Sequence, residues 1–183
     1  MIRKLILLAL VLTGVSCKSP DARRPIQRSS STFIEESVAR NKKLIEAEEA
    51  LIANIIRNDS TNTYLASESG FWYYYNVQDT TRTVFPEVGD DITFTYNIKD
   101  LAGKTIVSES ENGLQRYKVD QSNQELISGI RDGLKLMKVG ETVTFFFPSH
   151  KAFGYYGLED KLGTNVPIQS TVTLKTINSN ENN

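Results

Sequence analysis

Two stretches of strict alternation constrain this chain most. Ile92, Phe94, Tyr96 and Ile98 are separated by Thr93, Thr95 and Asn97, and Val143, Phe145 and Phe147 alternate with Thr144 and Phe146 up to Pro148. A period of two is that of a strand with one buried face, so a sheet has to be covered on one side. Residues 71–77 add a block of five consecutive aromatics, Phe71, Trp72, Tyr73, Tyr74 and Tyr75, which favours strand over helix. Short strands are expected at 105–108, after the turn Asp100-Leu101-Ala102-Gly103, at 116–119 and at 171–177. Only one segment of this region has helical spacing. Residues 124–137 place Leu126, Ile127, Ile130, Leu134 and Met137 on one face before Val139-Gly140-Glu141 stops the run. Gly129 and Gly133 weaken that helix and imply close packing. Many strands and one short helix describe an α+β domain on an antiparallel sheet.

The N-terminal part reads differently. Arg3 and Lys4 precede an apolar run from Leu5 to Leu12, too short to span a bilayer and shaped like a secretory signal. Gly14-Val15-Ser16-Cys17 then supplies small residues before the only cysteine, resembling a bacterial lipoprotein box with Gly where Leu is usual. We expect a signal peptide over 1–16 and lipid attachment at Cys17, which places the protein in the cell envelope, lipid-anchored and facing the periplasm. Residues 17–32 form a polar tether containing Pro20 and Pro25. Thr32 and Glu35 have capping-box spacing, so a helix is expected over 33–58. Ile34, Val38, Ile45, Ile52 and Ile56 form its stripe, broken where two turns carry Asn41 and Glu48. Two readings of this helix stay open: a spacer or pairing helix, and a helix packed on the domain. The polar segment from Asn58 to Thr63 reads as a break in the packed pattern, so residues before about 68 are expected to be dispensable for folding of the domain over 70–178.

Composition narrows the chemistry. With 21 basic and 22 acidic residues, no bulk basic face points to nucleic acid. One Cys and one His provide no metal spacing and no nucleophile-base pair, so neither a metal nor another cofactor is expected. His150 follows a strand-ending Pro and reads as a surface or packing residue, and Glu159-Asp160 as a solvated loop tip. The long loop over 149–169 is the most function-like segment, because loops of that length in a compact domain usually serve a site. Around it gather Tyr96, Tyr117, Leu126, Ile127, Ile130, Phe153, Tyr155 and Tyr156, which suggest an apolar cleft or plain core.

The segments FTYNIKDLAGKTIVSE, ELISGIRDGLKLMKVGE, FFFPSHKAFGYYG and TNVPIQSTVTL resemble the FKBP-type peptidyl-prolyl isomerases in order and spacing. Together with Arg23-Arg24-Pro25, Asn41-Lys42-Lys43-Leu44 and the block from Gly70 to Tyr75, the chain is similar to the gliding-motility-associated FKBP lipoproteins of gliding bacteria. The resemblance implies an FKBP-like antiparallel sheet curved around one short helix and preceded by an N-terminal helix. It also implies catalytic roles for Tyr96, for Ile127 with its backbone N–H as donor to a carbonyl, and for Phe153, which stands where the family has a hydroxyl-bearing Tyr. Ile106, Val107, Tyr117, Leu126, Ile130, Val166 and Leu174 match the substrate-binding wall. Ile106 replaces a usual Phe, Val107 a usual Asp, Ile130 a usual Trp and Leu174 a usual Phe.

The function so implied is isomerisation of X-Pro bonds in exported envelope proteins, including gliding components. The reaction needs no acid-base pair, since the obstacle is amide resonance rather than proton transfer. The alternative is a non-catalytic FKBP-fold binding module or chaperone working through the cleft or the N-terminal helix. The departures at Val107, Ile130 and Phe153 favour that alternative, and the intact helix segment with Val166-Pro167 favours activity.

Overall fold

The computed structural model describes residues 30–121 and 126–179. The signal segment, Cys17 and nearly all of the tether lie outside them. Cα proximity divides the chain into two units at Ser37 and Val38, inside the first helix, and the second unit carries the rest of that helix and all the strands.

Helix α1 spans Ser30–Asn58. It begins before Thr32, so the expected start at that residue lies within the helix. The strands are β1 (Leu65–Ser67), β2 (Phe71–Val77), β3 (Asp91–Tyr96), β4 (Ile98–Asp100), β5 (Thr105–Val107), β6 (Gln115–Lys118), β7 (Thr142–Phe147) and β8 (Ile168–Asn178). They form one antiparallel sheet in the order β1-β2-β7-β8-β3-β6, with β4 bridging β5 and β8. Two short helices interrupt it, α2 (Glu109–Asn112), capped by Ser108, and α3 (Ser128–Leu134).

The alternation places Ile92, Phe94, Val143, Phe145, Phe147, Val172 and Leu174 in one buried cluster with Ile130, Leu134 and Met137. α3 can approach that face because its two glycines leave room. A Cβ on Gly129 would stand 2.5 Å from the Phe147 ring, and one on Gly133 would stand 2.8 Å from the Phe145 ring. Those two rings stack at 5.5 Å and 8°.

Two expectations are corrected, and one left open is decided. The helix expected over 124–137 is only Ser128–Leu134, with Ile127 extended at ψ 143° as its N-cap, so Leu126 and Ile127 precede the helix. The alternating run 92–98 breaks at Asn97, whose Oδ1 accepts from Thr171 N–H at 3.0 Å and whose carbonyl accepts from Ser170 Oγ at 2.6 Å. These bonds turn the chain from β3 into β4. The N-terminal helix, for its part, is packed on the domain over its C-terminal half: Ile52 is fully buried, and the buried Glu48 carboxylate accepts from Ser149 N–H and Ser149 Oγ, both at 2.7 Å. The segment after α1 is pinned as well. Asp59 accepts from Thr61, Asn62 and the Tyr64 hydroxyl, which holds its carboxyl far below the usual range, and the Tyr64 ring meets Tyr74 at 5.1 Å and Phe146 at 5.7 Å.

Candidate active site

The residues singled out by the resemblance all belong to the core cluster or pack on its surface, apart from Val166, and burial divides them into two groups. Ile130 and Leu174 are completely buried, and Val107 and Tyr117 are nearly so; they are the floor. Tyr96, Ile106, Leu126, Ile127 and Phe153 are half-buried and pack against the same cluster, so they form a rim. Val166, also half-buried, lines a groove with Ile106 and Leu162. The candidate residues come from β3, β5, β6, α3 and the two residues before it, the 149–167 loop and β8.

Tyr117 belongs to the floor for a structural reason. Its hydroxyl accepts from Asp120 N–H at 3.0 Å, which pins a turn whose Asp120 has φ 54°. Tyr96 differs. Its ring stacks on Phe94 at 5.8 Å, while among the described residues its hydroxyl has no hydrogen-bond partner. Val107, which stands where the family's carboxylate is usual, has no polar atom to offer. Burial raises the Tyr96 pKa, so its hydroxyl remains a proton-bearing donor above the ordinary tyrosine range. The Ile127 N–H, just ahead of α3, is likewise unpaired among the described residues, because Ile127 contributes only its carbonyl, to Arg131 N–H at 3.2 Å. Two donors therefore stand at the rim of an otherwise apolar surface.

Phe153 is held by a compact turn. Ser149 carbonyl accepts from Ala152 N–H at 3.0 Å and from Gly154 N–H at 2.9 Å, the residues on either side of Phe153. The rest of the long loop is tied down at several points. Asn165 N–H donates to Gly154 carbonyl at 2.7 Å, Leu158 bridges Leu162, Lys161 pairs with Glu111 of α2, and Lys151 pairs with Asp132 of α3 at 3.0 Å. The Lys161 hydrogen bond and charge hold the Glu111 carboxyl below its usual value. Tyr155 and Tyr156 project into solvent beyond Phe153. His150 is exposed on the 3-10 turn Ser149–Lys151, and Glu159 and Asp160 are exposed on the loop, so none of the three enters the cluster. Among the described residues no group of His, Cys, Asp or Glu is arranged to hold a metal ion.

The residue that sequence reasoning did not connect to this site is Glu48. Its signal was present as a charged side chain interrupting the apolar stripe of α1 between Ile45 and Ile52. What it meets, Ser149, lies a hundred residues away along the chain and carries no pattern of its own.

Comparisons with known proteins bear on the family and the fold. A family model described as FKBP-type peptidyl-prolyl cis-trans isomerase matches residues 82–175. A probable FKBP-type peptidyl-prolyl cis-trans isomerase FkpA of Neisseria meningitidis is 27% identical over 157 residues, covering 86% of this chain and 55% of that protein, so the chain spans about half the length of this relative. The fold matches a peptidyl-prolyl cis-trans isomerase crystal structure from Pseudomonas syringae with TM-score 0.59 and 19% identity, over 75% of this chain and 96% of that one. It also matches FkpA from Escherichia coli with TM-score 0.55 and 18% identity, over 96% of this chain and 82% of that one. The match to the family model over residues 82–175, half of the chain, places it in the FKBP-type peptidyl-prolyl cis-trans isomerase family.

Proposed function

We propose that this chain catalyses cis-trans isomerisation of X-Pro bonds in exported envelope proteins, held at a membrane by lipid on Cys17. The observation that carries the reading is the pair of unpartnered donors, Tyr96 hydroxyl and Ile127 N–H, above a floor of Ile130, Leu174 and Val107. Rotation about the amide faces a barrier of about 18 to 20 kcal/mol because resonance gives the C–N bond double-bond character. The planar amide is the charge-separated state, so an apolar, water-poor floor disfavours it relative to the twisted state. The donors hold the carbonyl on one side of the bond while the prolyl ring rests on the floor. No proton is transferred, and no cofactor is called for. Isomerisation of short X-Pro peptides, followed without a coupled protease, tests this; a folded chain that leaves the uncatalysed rate unchanged overturns it.

The second reading, a binding module that has kept the fold, is favoured by Val107 and Phe153, which leave the site without a carboxylate and without a hydroxyl on the long loop. It predicts saturable binding of an X-Pro peptide with no turnover.

Attachment rests on the lone Cys17 behind a short apolar run. Cys17→Ser should abolish lipid labelling and release the protein from the membrane fraction; a Ser variant that stays labelled overturns the anchor. The similarity to gliding-motility lipoproteins makes components of that machinery the proposed clients, which deletion of the chain followed by surface-protein quantification would test.

A further inference from the structure

Glu48 is among the most buried charged side chains described, at 3% exposure, and its partners are supplied by one residue. Oε2 accepts from Ser149 N–H and Oε1 from Ser149 Oγ, each at 2.7 Å. Ser149, itself 3% exposed, passes the constraint on: its carbonyl accepts from the N–H groups of Ala152 and Gly154. Phe153 lies between those two residues. The chain of contacts runs from α1 through one buried carboxylate to the root of the turn that sets a wall of the site. Hydrogen bonds to a carboxylate are shorter and stronger than neutral ones, and a donor stripped of its acceptor in a buried place is costly, so this junction has one preferred geometry.

We propose that Glu48 is a positioning residue for Phe153, so that the N-terminal helix, through this carboxylate, fixes the long-loop wall of the prolyl cleft. This rests on the cleft being the working site, as proposed above. Glu48→Gln conserves shape but removes the charge: its amide oxygen accepts from Ser149 N–H and its NH2 donates to the Ser149 hydroxyl, so two charge-assisted bonds become neutral ones. Ser149→Ala removes one of the two bonds and leaves the backbone one, providing a milder variant should the first fail to fold.

The test uses the full chain and an X-Pro peptide as probe. Amide hydrogen exchange is measured at Ala152 and Gly154 with Phe145 in β7 as an internal reference, and peptide affinity is read from the shift of the Ile127 amide. Glu48→Gln is expected to speed exchange at Ala152 and Gly154 by about tenfold or more relative to Phe145, and to weaken peptide binding by about fivefold. Ser149→Ala should move both in the same direction by a smaller factor. Unchanged exchange at Gly154 overturns the proposal, because the turn is then not held by Glu48. Faster exchange with unchanged peptide affinity also overturns it, because the junction is then structural only. Neither arm requires turnover, so an inactive parent counts against the isomerase reading and leaves this one to be decided by exchange and binding.

Discussion

Tyr96 separates a packing role from the proposed site role within one side chain. Its ring stacks on Phe94, while its hydroxyl has no partner among the described residues. Tyr96→Phe therefore keeps the packing and should change stability by less than about 0.5 kcal/mol. Loss of a donor that strengthens in the twisted state should lower kcat/KM about five- to tenfold, measured on an X-Pro peptide. An unchanged kcat/KM would remove the hydroxyl from the mechanism. The same group fixes the pH dependence. Burial raises its pKa, so the hydroxyl is the protonated donor at every pH below the ordinary tyrosine value of about 10 and beyond it. The rate should be flat between about pH 6 and pH 9, and a bell-shaped profile there would mean an acid-base group has been overlooked. Phe153→Tyr works in the opposite direction. The substitution adds a hydroxyl at nearly constant volume on a turn whose backbone is already fixed, and one added bond of about 0.5 to 1.5 kcal/mol raises kcat/KM by at most about tenfold. A Tyr variant slower than the parent would show that the loop wall does not face the reacting carbonyl.

Among the elements, α3 is where local propensity and tertiary packing disagree most clearly. Its seven residues include two glycines, poor helix formers, and the rings of Phe147 and Phe145 occupy the space where their Cβ atoms would be. Gly129→Ala improves propensity yet forces a contact of 2.5 Å on Phe147 and 2.9 Å on the Lys151 carbonyl. The net result should be destabilisation of about 1 to 3 kcal/mol, seen as a lower denaturation midpoint at unchanged slope. A stabilised Ala variant would mean the helix can retreat from β7. This close approach was legible in the sequence, because a glycine kept inside a helical apolar pattern, at a cost in propensity, marks a place where a side chain does not fit. The strands 71–77 and 142–147 were legible too, since aromatic and alternating residues specify a strand, although β7 is buried on both faces where the alternation implied one. What was not legible depends on partners distant in sequence. The break at Asn97 is made by Ser170 and Thr171, the early end of the apolar run at Leu126 and Ile127 reflects their place at the rim, and β1 pairs only because β2 is there.

At the scale of the molecule, the question is where the folding unit begins. The polar stretch after α1 looks like a linker in sequence, since Asn58, Asp59, Ser60, Thr61 and Asn62 bring no apolar surface. In the structure it is a knot of hydrogen bonds on Asp59 ending in Tyr64, which lies against Tyr74 of β2 and Phe146 of β7. Phe146 belongs to the face of β7 opposite the main cluster and is still 3% exposed, so the sheet is covered on that side as well. Ile52 is fully buried one helical turn beyond Glu48. Removing α1 would uncover an Ile side chain, costing roughly 1.5 to 3 kcal/mol, and would strip the buried Ser149 of two charge-assisted bonds. Against a total stability of about 5 to 15 kcal/mol for a domain, that is a large fraction. The sequence-based expectation that residues before 68 are dispensable is therefore reversed. A chain over 38–183 should unfold in one cooperative transition, whereas a chain over 59–183 should show a midpoint lower by an amount equivalent to at least about 3 kcal/mol, with faster exchange at Gly154. Ile52→Ala in the longer chain supplies the control, with an expected loss of about 2 to 5 kcal/mol from the cavity alone. Equal midpoints for the two chains would mean that the helix rests on the domain without contributing to it.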